Sequence, residues 1–225
     1  MSPRAASRAG NLPRLKAVVT AGPTREYVDP VRYLSNESSG RMGFAIASAL
    51  ARRGVSVTLI AGPVNLATPP GVERIDVVSA RDMHAAVRAA FGFANALVMA
   101  AAVADWRPAR RLSGKWRKKD GGSESASLEL TRNPDSLASV AQGKGERLVM
   151  GFALETGDGE RRAQAKLRRK NLDCIVLIDE SALNATRSSV TILGRDGSRQ
   201  GLARRSKEDI AEVLAELVID KARAN

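Results

Sequence analysis

The sequence predicts a doubly wound α/β fold, in which helices cover both faces of a mostly parallel sheet. Apolar, β-branched runs that are typical of buried strands alternate with amphipathic stretches of helical period along most of the chain. The run "ANALVMAAAVADW" is apolar without interruption, as expected of a central parallel strand that is buried on both faces. With 225 residues and 44% hydrophobic content, the chain is long enough to bury a sizeable core.

The first half of the chain supplies strands and helices in alternation. "LKAVVTAG" predicts a first strand that ends at Gly22, and the next stretch, "PTREYVDPVRYLSNE", is a loop of a length typical of functional segments. "SSGRMGFAIASALARRG" predicts a helix that opens at the serines and stops at Gly54. "VSVTLIAG" and "VERIDVVS" predict two further strands, and "ARDMHAAVRAAF" predicts a helix capped by Ser79.

The second half begins with a basic loop that extends to about Ser123 and that we expect to be mobile. "ASLELTR" then predicts a strand, and "NPDSLASVAQG" predicts a short helix with Pro134 near its first position. "ERLVMGFALET", "GERRAQAKLRRKN" and "DCIVLIDES" predict a strand, a helix and another strand. "SVTILGRDGSRQGLAR" predicts a hairpin that turns at Asp196, and Ser206 caps a final amphipathic helix. The prediction is therefore a Rossmann-like sheet with a C-terminal hairpin.

Composition narrows both the organisation and the chemistry. We expect a flexible basic N-terminal tail over residues 1–15 and a single α/β domain over residues 16–225, with no secretory signal and no apolar run of membrane length. Cys174 is the only cysteine and His84 the only histidine. A disulfide within the chain is therefore impossible, and Cys-based metal sites and histidine triads are disfavoured. We expect no metal ligands from the protein.

The net charge of +12 indicates either nucleic-acid binding or anionic small substrates, or a surface rich in arginine. The positive residues cluster in two segments, which contain Arg107, Arg110, Arg111, Lys115, Arg117, Lys118 and Lys119, and Arg161, Arg162, Lys166, Arg168, Arg169 and Lys170. A nucleic-acid surface would usually add exposed aromatic residues for stacking, and only Trp106 and Trp116 are candidates.

The sequence disfavours two common kinds of nucleotide site. A dinucleotide site needs G-x-G-x-x-G directly after the first strand, whereas this chain offers only Gly40 and Gly43, well beyond that turn. The G-x-x-x-x-G-K-[ST] phosphate loop is absent. A ligase-like site remains, in which lysines and a helix N-terminus handle phosphates. Lys166 and Lys170 are four residues apart, so they share one face of their helix.

Six motifs occur in order between Ala17 and Asp220: "TAGPTREYVDPVRYLSNESSGRMG", "AAVADW", "GKWRKK", "NPDSL", "GFALET" and "RRKNLD". On these motifs the sequence resembles the bacterial-type phosphopantothenate–cysteine ligases, or phosphopantothenoylcysteine synthetases, as a stand-alone module without their flavin decarboxylase domain. The resemblance implies CTP-dependent ligation of 4′-phosphopantothenate to L-cysteine through an acyl-cytidylate, with release of pyrophosphate and CMP, in coenzyme A biosynthesis.

The resemblance further implies that Mg²⁺ accompanies CTP and that the protein is a cytoplasmic homodimer, with no nucleic-acid or membrane partner. Two alternatives stay open. The same ligase could use ATP, because no single residue decides the base. A basic nucleic-acid-binding α/β protein is the alternative from another functional class.

The resemblance also assigns roles to individual residues. Asn36 matches a catalytic asparagine whose amide would donate to the reacting carboxylate, and Lys115 matches a lysine that would neutralise charge at the attacked phosphorus. The residues expected to bind the nucleotide are Met99, Ala100, Ala101, Asp105, Lys115, Asn133, Pro134, Asp135, Ser136, Phe152, Lys166 and Lys170. The residues expected to bind phosphopantothenate are Ser38, Ser39, Gly40, Gly43, Arg117 and Lys118. Arg117 stands where the family usually has lysine. Without the resemblance, Asn36 would be taken as a turn residue and Phe152 as a core residue.

Overall fold

The structure, a computed structural model, describes residues 14–117, 125–155, 157–179 and 187–224. Within these ranges the strands are β1 (Lys16–Ala21), β2 (Arg25–Tyr27), β3 (Tyr33–Ser35), β4 (Ser56–Ala61), β5 (Val72–Asp76), β6 (Ala96–Met99), β7 (Trp106–Pro108), β8 (Leu130–Arg132), β9 (Leu148–Glu155), β10 (Cys174–Asp179), β11 (Arg187–Gly194) and β12 (Arg199–Ser206). The helices are α1 (Arg41–Arg52), α2 (Ala80–Phe91), α3 (Ser136–Gln142), α4 (Gly159–Arg169) and α5 (Lys207–Ala224). Lys118 and most of the expected N-terminal tail lie outside the described residues.

In the described part of the chain, eight strands form one sheet in the order β12-β11-β10-β9-β6-β1-β4-β5. The strands from β10 to β5 pair in parallel, whereas β11 and β12 add an antiparallel hairpin at one edge. The predicted doubly wound α/β fold with a C-terminal hairpin is therefore confirmed. The chain runs outward from β1 to β5 and then returns to β6, so the strand order reverses between β1 and β6. Ligands of such sheets bind beyond the carboxyl ends of the strands at this point.

Both faces of the sheet are covered by helices. Side chains alternate along β1, so Ala17, Val19 and Ala21 pack with α1 and α5, whereas Val18 packs with α2, α3 and α4. Cys174 in β10 is fully buried on the α1 and α5 side. Burial raises the pKa of its thiol to about 12. Inert packing, as its apolar setting predicts, is consistent with this environment.

Two predicted helix caps are confirmed. Ser79 Oγ accepts a hydrogen bond from the Asp82 N–H, and the Asp82 carboxylate accepts one from the Ser79 N–H, which makes a reciprocal capping box. Ser206 Oγ accepts a hydrogen bond from the Asp209 N–H at 3.0 Å, at the start of α5. Both caps are local contacts, and this is why the sequence pattern was sufficient to find them.

Two helix starts differ from the prediction. Helix α1 begins at Arg41 rather than at the serines, because Gly40 adopts a left-handed conformation with φ 74° and interrupts the helical path before it. Helix α3 begins at Ser136, so Pro134 lies before the helix. Asp135 is its N-cap and accepts the Ala138 N–H at 3.0 Å.

Two strand predictions also need correction. The predicted loop after β1 contains the antiparallel pair β2–β3, each strand only three residues long. The apolar run "ANALVMAAAVADW" is a strand only as far as Met99. Beyond it, the Ala102 N–H donates to Gly22 O at 2.9 Å, and the run follows the segment after β1 instead of continuing the sheet ladder.

Candidate active site

The candidate site lies at the carboxyl ends of β1 and β6, where two segments of the chain run side by side. Thr20 Oγ1 accepts a hydrogen bond from the Ala101 N–H at 3.1 Å, and Thr24 Oγ1 accepts one from the Ala104 N–H at 3.0 Å. Both threonines are fully buried. They therefore fix the backbone after β6 to the backbone after β1. Neither threonine is recognisable as a site residue in the sequence, where the only local signal is a position close to the end of the first strand.

Helix α1 approaches β1 closely, and a glycine makes the approach possible. A Cβ on Gly43 would lie 2.6 Å from Ala21 Cβ and 2.7 Å from Thr20 O. Gly43 was expected to bind phosphate, and the structure gives it a packing role as well. It is the third residue of α1, so its N–H belongs to the group that a helix leaves without an intrahelical acceptor. Ser38 is half-buried and Ser39 is exposed, both just ahead of this helix.

Asn36 follows β3 and lies against the segment that follows β6. Its Nδ2 donates to Ala102 O at 3.1 Å, and the preceding Ser35 Oγ donates to Thr24 O at 2.8 Å. The asparagine side chain is therefore held against the segment that follows β6, and it is exposed. An amide nitrogen carries two hydrogens, so one remains to donate to a ligand.

A cavity of about 410 Å³ lies next to the hydrogen bond between Asn36 and Ala102, because Ala101, the neighbour of Ala102, is part of the cavity wall. Its walls are formed by Met99, Ala101, Val103, Ala104, Asp105, Trp106, Arg132, Asn133, Pro134, Asp135, Ser136, Leu137, Phe152, Lys166 and Lys170. Every residue expected to bind the nucleotide is therefore in the wall, except Ala100 and Lys115. This size falls within the range of small-molecule sites.

Hydrogen bonds within the cavity wall hold the turn before α3 in place. The Asn133 N–H donates to Asp105 O at 2.8 Å, and Asn133 Nδ2 donates to Ala104 O at 2.9 Å. The guanidinium of Arg132 lies 5.3 Å from the centre of the Trp106 ring. Trp106 and Arg132 were not expected in the site from the sequence, although Arg132 directly precedes the turn that begins at Asn133.

Lys166, in α4, and Lys170, the residue at the C-cap of α4, differ in their surroundings. Lys170 Nζ lies 2.8 Å from one carboxylate oxygen of Asp135 and 3.0 Å from the other, so it is paired. Lys166 Nζ donates to Phe152 O at 2.8 Å. Burial, and then the charge of Lys170, lower the pKa of Lys166 although Glu155, Asp135 and Asp105 act in the opposite direction. An anion that enters the cavity would favour the protonated form of Lys166, which makes this side chain suited to phosphate.

The pKa of Asp135 is lowered for a related reason. Burial raises it, and the hydrogen bond and charge of Lys170 together with the Ala138 N–H outweigh that effect. Asp135 is therefore an anion that caps α3 and pairs with Lys170. Among the described residues there is no cluster of three or more His, Cys, Asp or Glu side chains that could hold a metal ion.

The basic segment that carries Lys115 lies against the turn between β2 and β3, where the Leu112 N–H donates to Val28 O at 2.8 Å. Lys115 and Arg117 are exposed, and Lys118 lies outside the described residues. Trp116, between Lys115 and Arg117, is half-buried, and its backbone N–H donates to Asp29 Oδ2 at 3.0 Å. Asp29 was not identified from the sequence, where it falls within the predicted loop after the first strand. Over the described part of the chain, no helix combines the length and the apolar composition needed to cross a membrane.

A family model and curated relatives match nearly the whole chain. A model of the DNA/pantothenate metabolism flavoprotein C-terminal domain matches residues 12–221. The coenzyme A biosynthesis bifunctional protein CoaBC of Escherichia coli strain K12 is 42% identical over 220 residues, which cover 96% of this chain and 54% of that protein. The chain thus spans about half the length of the curated relatives it matches.

Solved structures also match the fold over nearly the whole chain. The crystal structure of the C-terminal domain of CoaBC has a TM-score of 0.81 and 34% identity, with coverage of 94% of this chain and 97% of that one. The Cab2 H337A variant in complex with phosphopantothenate-cysteine shares the fold at 16% identity, with a TM-score of 0.76 and coverage of 93% and 87%. On sequence and fold together, the chain belongs to the family of DNA/pantothenate metabolism flavoprotein C-terminal domains.

Proposed function

We propose that this chain joins 4′-phosphopantothenate to L-cysteine in coenzyme A biosynthesis, with CTP as the activating nucleotide. The substrate carboxylate attacks the α-phosphorus of CTP, and pyrophosphate leaves. The cysteine amine then attacks the acyl carbon of the acyl-cytidylate, CMP leaves, and the amide bond forms with loss of a proton. A carboxylate alone is a poor electrophile, so the contribution of the protein is to hold the reactants and to stabilise developing negative charge.

The observation that carries this proposal is the contact between Asn36 and Ala102. Through this contact, the amide expected at the reacting carboxylate is bonded to Ala102. The next three residues of the same segment, as far as Asp105, line the cavity proposed for the nucleotide. One mixed anhydride could therefore touch both. The neutral amide can donate a hydrogen bond to the carboxylate without neutralising it, which leaves the carboxylate nucleophilic.

Positive charge for the triphosphate would come from two segments of the chain. Lys166 and Lys170, in α4 and at its C-cap, line the cavity, and Lys115 is exposed on the basic segment. Since Lys170 is paired with Asp135, we assign the main cavity contact with phosphate to Lys166. Lys115 is assigned to the α-phosphorus, where charge develops during transfer. The N-terminus of α1, with Ser38, Ser39 and Gly40 before it, is assigned to the phosphate of phosphopantothenate.

Magnesium enters the proposal as part of the substrate, bound to the triphosphate. The described residues do not offer a set of carboxylates for a resident ion. Mg²⁺ commonly keeps several waters and uses phosphate oxygens as ligands, which fits a cavity whose described wall carries only two carboxylates, Asp105 and Asp135, of which Asp135 is paired with Lys170.

We also propose that the active protein is a cytoplasmic homodimer. The small strand pairs β2–β3 and β7–β8 expose large apolar side chains at Val31 (60%), Tyr33 (41%), Trp106 (46%) and Leu130 (41%). Exposed apolar and aromatic side chains of this kind are typical of interfaces. Sedimentation across a range of protein concentrations tests this; a monomer at micromolar concentration would contradict it.

A nucleotide panel tests the proposed reaction. The chain is incubated with Mg²⁺, 4′-phosphopantothenate, L-cysteine and one of CTP, ATP, GTP or UTP, and pyrophosphate and the amide product are measured. We expect turnover with CTP, and without cysteine we expect a single burst of pyrophosphate as the acyl-cytidylate accumulates. The matched variants are Lys166→Gln, which should weaken CTP binding, and Arg168→Gln on the same helix outside the cavity wall, which should not.

The open alternatives give different results in the same experiment. Turnover with ATP and not with CTP would establish the same ligase with another nucleotide. No turnover with any nucleotide, together with salt-dependent binding of an arbitrary oligonucleotide, would favour the nucleic-acid-binding protein and reject the ligase.

A further inference from the structure

Asp29 is a buried carboxylate outside the set of residues that the resemblance assigns to the site. Its side chain is 0% exposed. Oδ1 accepts hydrogen bonds from the backbone N–H groups of Val31 and Arg32, both at 2.7 Å, and Oδ2 accepts one from the backbone N–H of Trp116 at 3.0 Å. One oxygen therefore closes the turn between β2 and β3, while the other holds the residue next to Lys115.

Two further contacts join the same two segments. Arg32 Nη1 donates to Trp116 O at 2.8 Å, and the Leu112 N–H donates to Val28 O at 2.8 Å. The Arg32 guanidinium also lies 3.5 Å from Asp29 Oδ2. The basic segment is thus docked along the β2–β3 turn by the side chains of Asp29 and Arg32 and by one backbone hydrogen bond.

We propose that Asp29 is a positioning residue that fixes Lys115 relative to Asn36. The turn that Asp29 closes leads through β3 directly to Asn36, and its second oxygen holds the lysine-bearing segment, so one side chain couples the two proposed catalytic residues. This proposal rests on the proposed ligase function, because Asp29 acts only through Lys115. A segment that is ordered before the substrates bind does not have to be ordered during the reaction, and this lowers the entropic cost of reaching the transition state.

The state of the carboxylate agrees with this arrangement. The Trp116 N–H lowers the pKa of Asp29, and the N–H groups of Val31 and Arg32 and the charge of Arg32 act in the same direction, against burial. Asp29 is therefore an anion that accepts hydrogen bonds at both oxygens.

The asymmetry of the two oxygens defines a selective variant. In Asp29→Asn, the amide oxygen can keep the Oδ1 position and both bonds of the turn, whereas the NH₂ group then faces the Trp116 N–H, and two donors cannot bond to each other. The variant should lose the docking of the basic segment and keep the turn. Asp29→Ala should lose both.

Fluorescence measures docking without any reference to activity. In a Trp106→Phe background, Trp116 is the only tryptophan of the chain. We expect Asp29→Asn to increase acrylamide quenching of Trp116 and to speed tryptic cleavage after Lys115 and Arg117, with little change in melting temperature. The matched control is Asp196→Asn, which alters a carboxylate that closes the distant β11–β12 turn through Ser198, and it should leave both readouts unchanged. Unchanged quenching in Asp29→Asn would overturn the docking role.

Activity then measures the coupling, in chains that retain Trp106. Asp29→Asn should slow pyrophosphate release about tenfold, the effect expected from one lost charge-assisted hydrogen bond, while the Kd for CTP stays the same. When Asp29→Asn is combined with Lys115→Gln, pyrophosphate release should be no slower than in Lys115→Gln alone. An equal tenfold loss in that double variant would overturn the coupling. If the unaltered chain shows no ligase turnover, the proposed function fails, and the fluorescence result still decides whether Asp29 docks the segment.

Discussion

Replacing Gly43 with alanine would show whether this glycine is required for packing or for phosphate. The added Cβ would lie 2.6 Å from Ala21 Cβ and 2.7 Å from Thr20 O. Carbon atoms attract each other best at about 3.5–4.0 Å, so helix and strand must separate by about 1 Å. The obstacle is backbone and a short side chain in the central strand, and no flexible side-chain end can move aside.

The size of the effect follows from two opposing contributions. An extra methyl group in a packed core typically costs about 1–3 kcal/mol, and the contact with the backbone places this position at the upper end. Alanine is more favourable than glycine inside a helix by about 1 kcal/mol. We therefore expect the free energy of unfolding to fall by about 2 kcal/mol, which lowers the Tm by about 4–8 °C for a chain of this length.

Thermal unfolding followed by circular dichroism measures this difference. Gly92→Ala is the matched control, since Gly92 has a helical φ of −54° and the nearest atom to its added Cβ is 3.5 Å away. Its Tm should stay the same or rise. If Gly43→Ala keeps its Tm and instead loses affinity for 4′-phosphopantothenate, the packing argument is refuted and phosphate binding is the reason for this glycine.

Three further predictions concern the reaction and the nucleotide. Asn36→Ala should reduce pyrophosphate release about 10²- to 10³-fold, as the loss of one preorganised donor does, without a change in the Kd for CTP; a near-normal rate would reject its role. Lys115→Gln should also slow pyrophosphate release, and release at the normal rate would count against its assignment. For Lys166, whose pKa is lowered first by burial and then by the charge of Lys170, CTP affinity should fall as pH rises through that pKa, earlier than for an ordinary lysine. Calorimetry across this pH range should show the fall in the normal chain and in Arg168→Met but not in Lys166→Met, and an identical profile in Lys166→Met would exclude Lys166 as its source.

The features that the sequence predicted correctly depend on local patterns. The uninterrupted apolar composition around β6 and the alternation of strands and helices are sufficient to indicate a parallel sheet with helices on both sides. Ser79 and Ser206 sit next to the N–H groups that they cap, so a short window contains both partners. The lysine pair of α4 was likewise found from its spacing, and the structure places Lys166 and Lys170 in one cavity wall.

The features that the sequence did not predict depend on contacts between distant segments. β2 and β3 are three residues each, too short for alternation to be visible, and their pairing depends on the fold around them. Thr20 and Thr24 bond to residues about eighty positions away, and so does Asp29 through Trp116. No local pattern distinguishes such residues from ordinary turn or strand residues.

The burial of Cys174 makes this chain convenient for labelling experiments. The thiolate is the form that attacks thiol reagents, and a fully enclosed thiol with a pKa of about 12 offers almost none of it at neutral pH. Ellman's reagent should therefore report the opening of the sheet around β10, since Cys174 becomes accessible only when β10 separates from its neighbours. For the same reason, a cysteine introduced on the surface would be the single attachment point for a dye, with no need to remove the natural one.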